Sequence, residues 1–171
     1  MDGNGRWAKK NALNVTSGHE KGVDVVRKIV ESAAKAKLGS LSLYAFSTEN
    51  WSRPKKEILG IKKLIIKAID SQVPELIQQK VRLNFFGDYS SFGKTAVKAI
   101  RDAEISTAFT DPKLKLNIAL GYGGRADIVH ATKLIANEIK LDKLRLEDVS
   151  DEIIFKYLKA PINDLDLLIR T

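Results

Sequence analysis

Apolar residues along this chain change their spacing several times, and that switching limits the fold more than any single residue does. Leu41, Leu43 and Ala45 alternate with Ser42, Tyr44 and Phe46, the two-residue period of a short strand. Val81 to Phe86 reads as a second strand, and Leu114 to Leu120 alternates cleanly as a third. Between them the period becomes helical. Val23, Val26, Ile29, Val30 and Ala33 mark a helix from about Ser17 to Leu38, with Ser17 read as its N-cap, Glu20 as the capping-box partner and Gly39 as its stop. From Pro54, suited to a first helical turn, Ile58, Ile61, Ile65, Ala68 and Ile69 mark a second long helix, which Pro74 is expected to break or bend. Lys94 to Ile105, Ala126 to Ile139 and Asp151 to Leu158 follow as helices, and Asp166 to Ile169 as a final strand. Strands separated by helices imply right-handed β-α-β units: an α/β fold with a mostly parallel sheet and helices on both faces. Ligands of such sheets sit beyond the carboxyl ends of the strands, which is where the loops after Met1, Phe46 and Leu120 are expected. No repeat or linker divides residues 1–171, so one domain is the simplest partition.

Composition narrows the chemistry. Cysteine is absent, which removes disulfides, thiolate nucleophiles and cysteine-based zinc sites, and favours a reducing, intracellular setting. Lysines interrupt every apolar run, as in Leu64-Ile65-Ile66-Lys67, so none approaches the ~18 apolar residues of a membrane span. The balance of 29 Lys and Arg against 21 Asp and Glu gives a net charge of +8, a surface that attracts anions: nucleic acid, acidic phospholipid or phosphorylated substrates. No zinc-finger, RRM or basic-zipper pattern supports the first of these.

Two loops concentrate chemistry-bearing residues. Asp2-Gly3-Asn4-Gly5-Arg6-Trp7 combines a carboxylate, two glycines that let backbone N–H groups approach an anion, and an arginine able to clamp phosphate. Such a set suits a diphosphate with Mg²⁺, although the same residues also make an ordinary Asp-Gly turn. Ala45 to Pro54 crowds Ser47, Thr48, Glu49, Asn50, Trp51, Ser52 and Arg53 between a strand and a helix. A capped helix start explains Pro54 but not Ser47, Asn50 and Trp51 together. His19, near a helix N-terminus, is placed to bond a phosphate oxygen, or is simply structural. Gly121-Tyr122-Gly123-Gly124-Arg125-Ala126 fits the G-x-G-x-x-G/A pattern, as do Gly3, Gly5 and Ala8, but short glycine patterns arise readily where a loop turns tightly. No P-loop, HExxH, GxSxG or DDxxD motif is present.

DGNGRWAKK, GHEKG, SLYAFSTENWSRP, FFGD, YGGR and DLDLLIRT, in that order and covering nearly the whole chain, resemble the cis-prenyltransferases, the isoprenyl transferase or undecaprenyl diphosphate synthase family. The resemblance implies Mg²⁺-dependent addition of isopentenyl diphosphate to an allylic diphosphate such as farnesyl diphosphate, giving a cis-polyprenyl diphosphate lipid carrier. It implies that Asp2 is the catalytic aspartate and a metal ligand. Gly3, Asn4, Gly5, Arg6 and His19 would hold the allylic diphosphate, with Trp7 lining the same pocket. Ser47, Thr48 and Glu49 would contact substrate, and Asn50 would be catalytic at the position assigned as proton acceptor, read here as positioning the departing proton because an amide is a weak base; Trp51 and Arg53 would shape the site, and Arg170 would bind the homoallylic diphosphate. It further implies a homodimer at full length, a cytoplasmic protein with peripheral membrane contact through its lipid product, and no nucleic-acid partner. The apolar faces of the two long helices would wall a product channel, most of their residues serving as core.

Two positions depart from the family pattern. Val15 stands where an arginine is usual, removing a charge-assisted clamp worth about 1.5–3 kcal/mol. Gly121 replaces an asparagine before Tyr122. Family members also carry an apolar strand ahead of the aspartate motif and a segment after the arginine matched by Arg170, with a second diphosphate clamp and another metal carboxylate. The expectation is therefore a trimmed member, weakly active or inactive until those parts are restored; the alternative is a non-catalytic partner subunit of a heteromeric enzyme.

Overall fold

The computed structural model describes residues 3–161 and 164–170. Its sheet has three parallel strands, β1 (Ser40–Ser47), β2 (Val81–Phe86) and β3 (Leu114–Tyr122), in the order β1-β3-β2. Six helices surround it: α1 (Asn4–Lys10), α2 (Val15–Lys35), α3 (Lys55–Gln78), α4 (Lys94–Ser106), α5 (Gly124–Lys140) and α6 (Asp151–Tyr157). A 3-10 turn, Thr48–Ser52, joins β1 to α3.

Alternation along the strands sends Val81, Leu83, Phe85, Leu114, Leu116 and Leu120 to one face, where they pack with Val30 and Ala33 of α2, Ile61, Ile69 and Leu76 of α3, and Ala96, Ile100 and Ala103 of α4. The long helices thus contribute core with most of their apolar stripe, as amphipathic helices do. The other face carries a polar ladder: the Asn117 amide donates to Ser40 Oγ (3.0 Å) and Ser42 Oγ (3.3 Å), and its oxygen accepts from Asn84 (3.3 Å). Tyr122 packs tilted against Tyr44 and edge-on against Phe86, and α5 follows directly after it in the chain. The outer edge of β2 is closed by side chains of α4 and its C-cap: the Leu83 N–H donates to Thr107 Oγ1 and the Phe85 N–H to Glu104 Oε1, which satisfies donors an edge strand would expose.

Several local features differ from the sequence reading, each for an identifiable reason. The N-cap of α2 is Asn14, not Ser17. Asn14 is extended and its Oδ1 accepts from the Ser17 N–H (2.9 Å) and hydroxyl (3.2 Å), so Ser17 lies inside the first turn. The same helix ends at Lys35 rather than running to Leu38, because Lys37 takes the left-handed conformation (φ 57°) and the Leu38 N–H bonds the Ala33 carbonyl. Ala12 and Asp142 end α1 and α5 in the same way without glycine. Pro74 lies within α3, which continues to Gln78; buried Ile69 and Leu76 flank it and hold the helix across the missing N–H. Asp166 to Ile169 is irregular rather than a strand, with Leu167, Leu168 and Ile169 exposed, because no described strand pairs with it.

The alternation in β1 is broken at Ala45. Tyr44 pairs with Ala119 but Phe46 with Leu120, and Ser47 then pairs with Tyr122, so Ala45 and Gly121 are extra residues on opposite strands. These compensating bulges put Phe46 on the core face with Leu41 and Leu43 instead of opposite them. Gly121 has φ 66°, and a Cβ there would lie 2.2 Å from the Asp88 carbonyl oxygen, so the bulge depends on glycine.

Candidate functional site

Asp2 lies outside the described residues. The rest of the first loop begins at Gly3, whose φ of 83° requires glycine and whose carbonyl accepts the Trp7 N–H at 2.8 Å. From Asn4 the segment is helical, not the open loop expected from its glycines. The Arg6 guanidinium folds back over Gly3, where an added Cβ would sit 3.7 Å from Nη2. Trp7 is partly exposed and Ala8 is fully buried.

The glycines of GHEKG explain how this helix is held. A Cβ on Gly18 would lie 2.2 Å from the Asn4 carbonyl oxygen and 3.0 Å from Ala8 Cβ; one on Gly22 would lie 2.6 Å from Asn4 Nδ2. Gly18 and Gly22 are one turn apart and form a side-chain-free groove on α2 into which α1 settles. The segment containing Asn4, Gly5 and Arg6 is therefore anchored to the turns of α2 that carry His19.

His19 reaches from α2 to the first turn of α3. Its Nε2 is buried, has no hydrogen-bond partner among the described residues, and lies 3.5 Å from Glu57 Oε1 without the alignment of a hydrogen bond. The same oxygen accepts a hydrogen bond from Arg53 Nη1 at 2.9 Å. Two motifs distant in sequence thus meet at one carboxylate oxygen. Glu57 was missed by the sequence reading, although its spacing of four from Arg53 is that of facing groups one helical turn apart.

The 3-10 turn carries the remaining candidates. The Ser47 N–H donates to Asn50 Oδ1 at 3.2 Å, which occupies the amide oxygen and leaves Nδ2 as the donor. Glu49 is exposed, and its carboxyl is held below the usual range by its own backbone N–H and then by the Ser47 and Thr48 hydroxyls. Thr48 fills the notch at Gly123, where a Cβ would lie 2.3 Å from Thr48 Oγ1. Gly121 and Gly123 therefore admit neighbouring protein, Asp88 and Thr48 respectively, and need no dinucleotide to explain them. Trp51 packs edge-on against Phe46 (4.8 Å) and Phe92 (4.9 Å), and Lys62 Nζ lies 5.4 Å from the Trp51 ring while bonding the Ser91 carbonyl. Phe46, itself 2% exposed, is the inner wall of this cluster.

Asp127, in the first turn of α5, is buried and accepts the backbone N–H groups of Lys159 (2.9 Å) and Ala160 (3.4 Å). Burial first, then Asp127 and Tyr44, push the Tyr122 hydroxyl up to about 12. Nothing in the sequence marks Asp127, because its partners are backbone groups far along the chain. Arg170 is exposed on the irregular C-terminal stretch, where the strand expected to present it does not form.

Among the described residues no three His, Asp or Glu side chains gather as a metal cage. The donors that do converge are the His19 imidazole and the Arg53 guanidinium, at the Glu57 carboxylate; both types suit phosphate oxygens, and a Mg²⁺ ion held mainly by a ligand's own phosphates would need only one or two protein carboxylates. No described helix is long and apolar enough to cross a membrane.

Comparison with known proteins gives the family. The family model for undecaprenyl diphosphate synthase, Prenyltransf, matches residues 1–171. A Yersinia pseudotuberculosis ditrans,polycis-undecaprenyl-diphosphate synthase, (2E,6E)-farnesyl-diphosphate specific, is 43% identical over all of this chain and 68% of its own length. The isoprenyl transferase of Bacillus subtilis is 41% identical over all of this chain and 66% of its own. The crystal structure of lavandulyl diphosphate synthase from Lavandula x intermedia, in complex with dimethylallyl diphosphate, superposes with a TM-score of 0.89 at 29% identity, covering 93% of this chain and 68% of that one. A chain whose glycine-grooved first helices, bulged strand and Ser-Thr-Glu-Asn-Trp turn all fall within that family match is a member of the undecaprenyl diphosphate synthase family of prenyltransferases.

Proposed function

We propose that this chain carries the diphosphate-binding part of a cis-prenyl transfer site, which joins isopentenyl diphosphate to an allylic diphosphate, farnesyl diphosphate in the first instance, and builds a polyprenyl diphosphate of the undecaprenyl class. The observation that supports it most is the meeting of His19 and Arg53 at Glu57, with His19 Nε2 buried and unbonded. A buried donor or acceptor without a partner costs about 1–3 kcal/mol, and a phosphate oxygen would supply the missing bond.

In this reading Gly3, Asn4, Gly5, Arg6 and His19 hold the allylic diphosphate, and Arg53 completes its charge balance. Trp7 and Trp51 wall the hydrocarbon side, while Ser47, Thr48 and Glu49 line the approach of the second substrate. Charge develops on the diphosphate as the allylic C–O bond breaks, so donors fixed around it bind the transition state more tightly than the substrate. The new C–C bond forms at the terminal alkene carbon of isopentenyl diphosphate, which then loses a proton from C2 to a diphosphate oxygen and gains the cis double bond. Asn50 Nδ2 orients the diphosphate that receives this proton; the amide is too weak a base to take it. Mg²⁺, when bound at Asp2 and the diphosphate, neutralises leaving-group charge. Arg170 serves the homoallylic diphosphate. A homodimer, a cytoplasmic location and peripheral membrane contact through the lipid product belong to the same proposal.

The test is incorporation of labelled isopentenyl diphosphate into a farnesyl-primed product. It should require Mg²⁺ and fall by at least about tenfold in His19→Ala and in Arg53→Ala, each of which removes one bond to a charged group. Incorporation that is unchanged by both substitutions would refute the assignment.

A further inference from the structure

We propose that Glu57 is a positioning residue that sets the His19 imidazole and the Arg53 guanidinium to converge on one diphosphate group; this rests on the reading of the site as a diphosphate site. Arg53 lies on the turn leading into α3, is 36% exposed, and its ion pair with Glu57 is what fixes its direction. His19 comes from α2, and the oxygen that holds Arg53 also lies 3.5 Å from its Nε2. Glu57 itself is half-buried on the first turn of α3, a rigid helical position rather than a loop. A long arginine loses much of its side-chain freedom when it clamps an anion, and an ion pair that restrains it beforehand lowers that loss.

A competing role is conceivable for any carboxylate beside an anion site: it could occupy the guanidinium until the ligand displaces it. The two roles predict opposite results. A positioning carboxylate leaves a weaker site when deleted, whereas a competitor leaves a tighter one. Glu57→Gln separates position from charge, because its amide oxygen still accepts from Arg53 while the negative charge is gone.

The experiment is calorimetric titration of inorganic diphosphate, with Mg²⁺, into the parent protein, Glu57→Ala, Glu57→Gln, Arg53→Ala and the Arg53→Ala/Glu57→Ala pair, with each variant's fold checked by circular dichroism. Glu57→Ala should bind about tenfold more weakly, roughly the equivalent of one bond to a charged group, while Glu57→Gln should stay within about threefold of the parent. The double variant should lose clearly less than the product of the two single losses, because the part of the Glu57 effect that passes through Arg53 is already gone and only the part through His19 remains. A merely structural role would give additive losses instead. Glu57→Ala binding as tightly as the parent, or more tightly, would overturn the inference, as would additivity. A parent protein that binds no diphosphate would overturn the site reading itself, a result distinct from unaltered binding by Glu57→Ala. If Glu57→Ala does not fold, Glu57→Asp takes its place: the carboxylate withdrawn by one methylene should weaken binding more than Glu57→Gln does, and the reverse order would contradict positioning.

Discussion

Gly18→Ala should damage the site while leaving most of the protein intact. Its new methyl would lie 2.2 Å from the Asn4 carbonyl oxygen and 2.9 Å from the carbonyl carbon. Restoring an ordinary contact requires α1 to retreat by about 1 Å. Helix propensity alone favours alanine by about 1 kcal/mol, whereas forcing a methyl into packed structure costs about 1–3 kcal/mol, so the net change in stability should lie between about 0 and 2 kcal/mol. The functional change should be larger, because displacement by about 1 Å can cost about a hundredfold when groups must be aligned. Gly60→Ala is the control: Gly60 is inside α3 with open space around it, and the substitution should stabilise by about 0.5–1 kcal/mol without touching the site. Urea denaturation and diphosphate titration on both variants decide the matter. A Gly18→Ala protein that gains stability like Gly60→Ala and binds diphosphate like the parent would refute the groove argument.

Lys37→Gly should stabilise by about 1 kcal/mol in thermal or urea unfolding, because Lys37 sits at φ 57° where a β-carbon is strained; destabilisation would show that the helix end is held by the lysine side chain. Thr107→Val should cost about 1–3 kcal/mol by leaving the buried Leu83 N–H without its acceptor, measured by the same unfolding curves, and a neutral result would contradict the edge-closing role. In ultraviolet titration one tyrosine, Tyr122, should ionise near pH 12, and Asp127→Asn should lower that value. Since the folded hydroxyl titrates above its ordinary 10, its contribution to stability is present below pH 10 and declines as pH rises towards 12; a Tyr122 unmoved by Asp127→Asn would contradict the electrostatic cause.

What the sequence made visible and what it hid follow from the range of the interactions involved. Strand and helix identity rest on apolar periods, and Val81 to Phe86 forms a strand at its expected bounds. The helix ends were less legible because the usual signal is glycine, whereas Ala12, Lys37 and Asp142 take the left-handed position here. The bulges were hidden for a different reason: a phase change at Ala45 is defined only by the register against β3, so the residues of β1 alone place Phe46 on the wrong face. At the site, the second motif crowded polar residues visibly, and the structure adds that Asn50 caps its own turn and that Thr48 sits in the Gly123 notch. Glu57 joins His19 to Arg53 across α2 and α3, and only the His19 half of that link spans a sequence distance no local pattern could reveal.

The most direct test of the diphosphate site is calorimetric titration of an unreactive farnesyl thiodiphosphate into the parent protein and into His19→Ala and Arg53→Ala. The account predicts saturable binding strengthened by Mg²⁺, and a loss of about tenfold or more in each variant, the worth of one bond to a charged group. Binding of equal strength in all three proteins would place the diphosphate elsewhere and contradict the account.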